Sequence, residues 1–272
     1  MQSRRPLLAE SDPKVYLEKV VQRVDLNREE LMRKEAVTPV WHDQAWPKFL
    51  SIRDLYGPTS RARFLKKPDI HRITCRWTAK ECVDLLERIL NVEYVPDVIL
   101  WLGPDDSLYV ADGVHRLSVV VGWVKDDWGD NLPSEAYSDK TQETESKLAG
   151  AHVRELLQQR NIGSFGDCLD AYTQYKELEK QLGYKPTPAE MDPASLRYGE
   201  RFLEWELKEV GLPLMWLKGN YAQAEASVLS YQAEFARLRE LHNDVFDTPE
   251  FQAAHDKLME KLGSHPKPNV SE

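Results

Sequence analysis

Asp112, His115 and Arg116 surround a glycine in "LYVADGVHRLSVVVGW", residues 108–123, where an apolar run that reads as a strand gives way to one that reads as a helix. Gly113 lets the backbone take a conformation that other residues resist, so that consecutive N–H groups at the start of the following helix can face one concavity. An anion there meets the amides of Gly113, Val114, His115 and Arg116 and the positive end of a helix dipole. Arg116 adds a planar, permanently charged fork suited to phosphate oxygens, and His115 can donate to phosphate or carry a proton near neutral pH. A carboxylate beside such a site is repulsive unless it binds a cation or acts on a substrate hydroxyl. Asp112 therefore reads as a magnesium ligand or a base. A plainer alternative stays open: Asp-Gly is a common turn, and Asp112 can cap a helix whose exposed face carries His115 and Arg116.

The elements around the loop have clear local signals. Ile73 to Trp77 is a short strand candidate, followed by "TAKECVDLLERIL", in which Thr78 and Glu81 have capping-box spacing and Val83, Leu86 and Leu90 supply an apolar face. "VILWL" is a continuous apolar run of strand length, "GPDDS" a tight turn and "LYVAD" a second strand. The predicted order is strand, helix, strand, turn, strand, glycine loop, helix.

On these residues the stretch "VPDVILWLGPDDSLYVADGVHRLSVVVGW", with the helix before it, resembles the core of the ParB/sulfiredoxin superfamily. The resemblance covers about residues 70–125 and its specific motif is Asp112-Gly113-Val114-His115-Arg116, closest to the Asp-Gly-x-His-Arg form of the nucleotide-dependent serine kinases and DNA-modification-associated proteins of that group. It implies a small mixed sheet, a nucleotide (ATP, ADP or CTP) with Mg2+ as cofactors, and a loop holding nucleotide phosphates. Two departures narrow it. Val114 occupies the place of the sulfiredoxin cysteine, and Val114 and His115 replace the middle pair of the partition proteins' Gly-Glu-Arg-Arg, so neither chemistry carries over.

The expected fold class is α+β, a small mixed sheet of this type with a basic N-terminal arm and a C-terminal helical domain. Residues 1–69 form the arm, 70–130 the core, 131–262 the helical part and 263–272 a polar tail. The arm is expected to open with a helix, since Asp12-Pro13 is a start signal and Val15, Val20, Val21 and Val24 give a partial stripe; Asn27 can restart a helix through Lys34. Residues 36–70 read as irregular, anchored by Trp41, Trp46, Phe49 and Tyr56. Residues 125–142, polar and turn-rich, read as a linker or flap, and five helical patterns follow, closing with "TPEFQAAHDKLMEKL".

The 272 residues carry a net charge of −9, which argues against a protein that coats nucleic acid. The charge is uneven, however: residues 1–76 hold 16 Lys and Arg against 10 Asp and Glu. Arg61, Arg63, Lys66, Lys67, Arg72 and Arg76 form a dense cluster, either a solvated face or a surface for nucleic acid, with Arg72 and Arg76 as a wall of the phosphate site. Glu93 or Asp97 could supply a general base, Asp105 and Asp106 suit a turn, and His42 and His71 read as structural or surface residues. Trp123 and Trp128 suit the core, a flap or a stacked base. Three cysteines, Cys75, Cys82 and Cys168, fit no disulfide framework or zinc pattern, and a cytoplasmic chain is expected, with no membrane span.

The functional expectation is a phosphotransferase or phosphohydrolase with Asp112 and His115 as catalytic residues. A non-catalytic DNA-associated module is the alternative, and a helical interaction protein with a decayed nucleotide site stays open. Oligomeric state and acceptor are not specified by the sequence.

Overall fold

The computed structural model describes residues 14–17, 20–21, 23–24, 48–56, 60–68, 77–103, 107–208, 210–217, 221–242 and 248–261. Among them the chain is mixed α+β, with seven α-helices and eight strands. No helix of the described residues is long and apolar enough to cross a membrane. Two compact units each draw on three chain segments: Met1–Val20, Thr74–Glu87 and Val121–Glu204 in the first, Val21–Ile73, Arg88–Val120 and Trp205–Glu272 in the second.

In the first unit, strand β1 (Lys14–Val15) pairs antiparallel with β5 (Trp77–Thr78). Helix α1 (Ala79–Leu90) begins where the sequence places it, because the Thr78 hydroxyl accepts from the Glu81 amide at 3.2 Å and the Glu81 carboxylate accepts from the Thr78 amide at 2.7 Å. Those reciprocal bonds satisfy amide donors that have no partner within the helix. Helices α3 (Lys140–Gln159) and α4 (Phe165–Leu182) start on Asp139 and Ser164, whose side chains accept from Gln142 and Asp167 amides, and α5 (Pro193–Leu207) starts on Asp192. Trp123 is buried, packs edge-on to Phe165 at 5.1 Å and donates from Nε1 to the Gly163 carbonyl at 3.1 Å.

The polar stretch after Trp123 is not a loose flap. The Gly129 carbonyl accepts from the hydroxyls of Tyr137 and Ser146, Arg154 bonds the carboxylates of Asp126 and Asp130, and Trp128 is fully buried. Gly129 has φ +81, and a side chain there would collide with the Tyr16 carbonyl.

The second unit is built on a six-stranded sheet in the order β2-β4-β7-β6-β8-β3. Here β2 is Arg23–Val24, β3 Phe49–Ser51, β4 Leu65–Pro68, β6 Val98–Leu102, β7 Leu108–Asp112 and β8 Gly211–Leu217. The hairpin β6/β7 is antiparallel, with Leu102 opposite Leu108 and Ile99 opposite Asp112. β6 pairs parallel with β8, and β4 pairs parallel with β7. Helix α2 (Val114–Lys125) begins one residue after β7. Helices α6 (Tyr221–Leu241) and α7 (Pro249–Lys261) bury Tyr231, Leu238, Phe251 and Leu258 against Ile99, Trp101, Tyr109, Met215 and Leu217 of the sheet. Burial of a large apolar side chain is worth about 1.5–3 kcal/mol, so this cluster contributes substantially to the stability of the unit.

Two expectations are corrected. The described residues of the opening segment form short strands, β1 and β2, in place of a helix: Val15, Tyr16, Leu17, Val20 and Val21 are all buried, so no single helical face separates core from solvent. The C-terminal part is not purely helical, because "GLPLMWL" supplies β8, a strand paired on both sides. The helix suggested from Asn27 to Lys34 and the tail 263–272 lie outside the described residues.

Candidate functional site

The strand–glycine–helix junction has the form the sequence indicates. Asp112 closes β7, Gly113 takes φ +85, and the Leu117 amide donates to the Gly113 carbonyl at 3.0 Å as the first bond of α2. A Cβ on Gly113 would lie 3.1 Å from the Val98 Cα and 2.9 Å from Arg116 Nη2, so glycine is required both by conformation and by close approach. Val114 and Leu117 are buried and anchor the helix start. In any α-helix the first-turn amides have no carbonyl partner within the helix and lie at the positive end of its dipole.

Arg116 folds back across the loop. Its Nη2 donates to Asp112 Oδ2 at 3.0 Å and to the Asp97 carbonyl at 2.9 Å, while its Nε is buried with no hydrogen-bond partner among the described residues. The pair is largely but not fully covered, with side-chain exposures of 19% for Arg116 and 25% for Asp112. Asp112 Oδ1 accepts from Gln232 Nε2, on α6, at 3.1 Å. Both carboxylate oxygens of Asp112 therefore accept from side chains, not from backbone amides at the start of α2. The helix-cap reading of Asp112 does not hold. A magnesium ion at Asp112 would have to use a lone pair left over by Arg116 and Gln232.

An aromatic cluster from α6, α7 and the segment before β6 packs on the sheet. Tyr231 is buried and its hydroxyl lies 3.4 Å from His255 Nε2. His255 is 1% exposed and stands edge-on to Tyr94 at 5.4 Å and to Phe235 at 5.7 Å. Burial pushes the Tyr231 phenol well above its ordinary value; Arg116 pulls against the shift, and the carboxylates of Asp97 and Asp112 reinforce it. Burial does the same to Tyr94, aided by Tyr231 and Asp97. Both phenols stay neutral at physiological pH.

Of the other residues singled out by the sequence, Asp97 is brought to the loop through its backbone carbonyl. Glu93 is exposed and lies 3.5 Å from Arg88. His115 is half-buried in the first turn of α2. In the basic segment, Arg61 lies 3.5 Å from Asp54, Arg63 sits over the Phe64 ring at 4.6 Å, Lys66 is half-buried in β4 and Lys67 is 1% exposed. Lys67 is therefore not part of a charged outer surface. Arg72, Arg76, Asp105, Asp106, His42, His71 and Cys75 lie outside the described residues. Trp123 and Trp128 are core residues, and their use in stacking a base is ruled out by burial. No group of three or more His, Cys, Asp or Glu among the described residues is placed to hold a metal ion.

Gln232 and Tyr231 were not visible as site residues. The Gln232–Asp112 contact spans 120 positions, and nothing in the pattern of α6 distinguishes Gln232 from its other solvent-facing polar residues.

The chain matches no family model, no curated protein and no solved structure.

Proposed function

We propose that this is a nucleotide-binding protein of ParB/sulfiredoxin type whose Gly113 loop holds phosphates, with phosphoryl transfer to a hydroxyl or to water as its reaction. The observation that carries the reading is Arg116: its fork is fixed over Gly113 at a helix start, two of its hydrogen bonds go to the protein, and its buried Nε has no partner among the described residues. A buried guanidinium donor left unbonded is costly, and a phosphate oxygen that displaces the cover over it would satisfy it. The order β5, α1, β6, β7, glycine loop, α2 supports the same reading, being the order on which the family resemblance rests.

In this reading the amides of Val114, His115 and Arg116 donate to the phosphate oxygens and Arg116 stabilises charge as it develops. His115, half-buried beside them, donates to a phosphate or moves a proton. Asp112 orients Arg116. A lone carboxylate suits a magnesium ion that arrives with ATP, ADP or CTP, whose phosphates and waters supply its remaining oxygen ligands. The DNA-associated alternative is weakened by the burial of Lys67, since the remaining described cations of that segment are few and already engaged or half-covered.

The test is a thermal-shift panel of ATP, ADP, CTP and GTP with and without magnesium, on the wild type and on Arg116→Ala. One nucleotide is expected to raise the melting temperature by mass action, and the substitution is expected to weaken its binding by about 1.5–3 kcal/mol without unfolding the chain. No shift with any nucleotide, or unchanged affinity in a folded Arg116→Ala protein, overturns the proposal.

A further inference from the structure

Gln232 makes the one side-chain hydrogen bond to Asp112 from outside the loop among the described residues. Its Nε2–H reaches Asp112 Oδ1 at 3.1 Å, and the other oxygen of the same carboxylate receives Arg116 Nη2 at 3.0 Å. A carboxylate held at one oxygen cannot rotate freely, so the amide of Gln232 keeps Oδ2 facing the guanidinium. Arg116 thus already carries a negative partner of its own, placed on the edge of the fork that an incoming oxyanion would approach.

We propose that Gln232 is a positioning and specificity-determining residue of this site: by bracing Asp112 on Arg116 it makes the loop admit polyphosphates and turn away single oxyanions. The inference rests on the phosphate-site reading of the Gly113 loop. Its physical basis is competition between anions. An inorganic phosphate ion offers Arg116 little more than Asp112 already supplies, and it meets the repulsion of that carboxylate at close range. A nucleotide di- or triphosphate brings several charged oxygens, which can occupy the helix-start amides and Arg116 Nε together and so outweigh the internal pair. When the brace is removed, Asp112 can turn outward to solvent, Arg116 is freed, and small anions gain more than large ones.

Gln232 is solvent-exposed, so its replacement does not threaten the core. Gln232→Met keeps the length of the side chain but has no N–H donor, and Gln232→Ala removes both. The experiment titrates ATP by calorimetry in the absence of magnesium and measures inorganic phosphate and pyrophosphate by competition against ATP, for the wild type, both variants and Asp112→Asn, with circular dichroism confirming the fold. The expected result is that phosphate binds roughly 5–10-fold more tightly to Gln232→Met and Gln232→Ala, as for loss of a hydrogen bond to a charged group at a partly exposed site, while ATP changes by much less. The preference for ATP over phosphate therefore falls, and Asp112→Asn lowers it further. If the wild type binds ATP and phosphate binds no more tightly to either Gln232 variant, the brace is not a selector and the nucleotide reading stands. If no protein in the set binds ATP, phosphate or pyrophosphate, the nucleotide reading itself fails and this inference with it.

Discussion

Replacing Gly113 by alanine tests the geometry of the loop directly. At φ +85 an alanine pays the left-handed penalty of about 1–2 kcal/mol. Its Cβ would also sit 2.9 Å from Arg116 Nη2 and 3.1 Å from the Val98 Cα. Val98 belongs to β6, which is paired on both sides, so it cannot retreat; Arg116 must move and stretch its contacts to Asp112 and the Asp97 carbonyl. A hydrogen bond involving a charged group contributes about 1.5–3 kcal/mol, and the partial exposure of this pair places the loss at the low end. The sum is about 2–4 kcal/mol, or roughly 5–15 °C in melting temperature for a chain of this size. Urea unfolding followed by far-ultraviolet circular dichroism measures it, with Gly113→Asn as the partner variant because asparagine tolerates positive φ better. A change below about 0.5 kcal/mol in Gly113→Ala would refute both the strain and the contact to Arg116.

Other consequences are open to measurement. Burial pushes the Cys168 thiol up to about 12, so it should resist a thiol reagent in the native state at pH 8 and react once the chain is unfolded. Because the folded value lies above the ordinary thiol value of 9.0, the protonated thiol's contribution is complete below pH 9 and is lost progressively as the pH rises from 9 to about 12; stability flat across that window in urea titrations would contradict it. Arg154→Ala should cost about 2–3 kcal/mol in urea unfolding, since it leaves the Asp130 carboxylate, whose side chain is 7% exposed, without its cation and with the Trp128 amide as its remaining donor. Thr78→Ala should cost about 1 kcal/mol through loss of its hydroxyl from the α1 capping box, and Thr78→Ser should restore most of it in the same assay.

The parts of this fold that could be read from the sequence are those with a local cause. "VILWL" and "LYVAD" announce strands by apolar continuity and a tight turn, Thr78 and Glu81 announce α1 by spacing, and Gly113 marks the junction because only a glycine suits it. The valines of the opening segment imitate a helical stripe, but β1 and β2 exist through pairing with β5 and β4, partners more than 40 residues away whose influence leaves no periodic trace. β8 was concealed by Pro213, which ordinarily argues against a strand; here it lies opposite Phe49, and the next amide, of Leu214, donates to the Lys48 carbonyl at 2.8 Å. At the site, the residue types of the loop were legible and the wiring was not. The sequence leaves Asp112 open to metal, base or cap. Its oxygens instead go to Arg116 four residues away and to Gln232 on a distant helix, and only the first of these lies within reach of a spacing argument.

The position of β8 in the sheet also governs how the chain is made. β6 ends at Leu102 and its parallel neighbour does not begin until Gly211, so roughly 100 residues must leave the ribosome between them. At about 5–20 residues per second this is an interval on the order of 5–20 s. Throughout it the nascent strand Val98–Leu102 has β7 on one side and an unfilled apolar edge on the other, the kind of surface that recruits foreign strands or holding chaperones. Gln232 emerges later still. The loop can fold early as a hairpin and helix start, but its final charge arrangement is a late, post-synthetic event, and a ribosome stalled between β7 and α6 would display Asp112 and Arg116 without the helix that braces them.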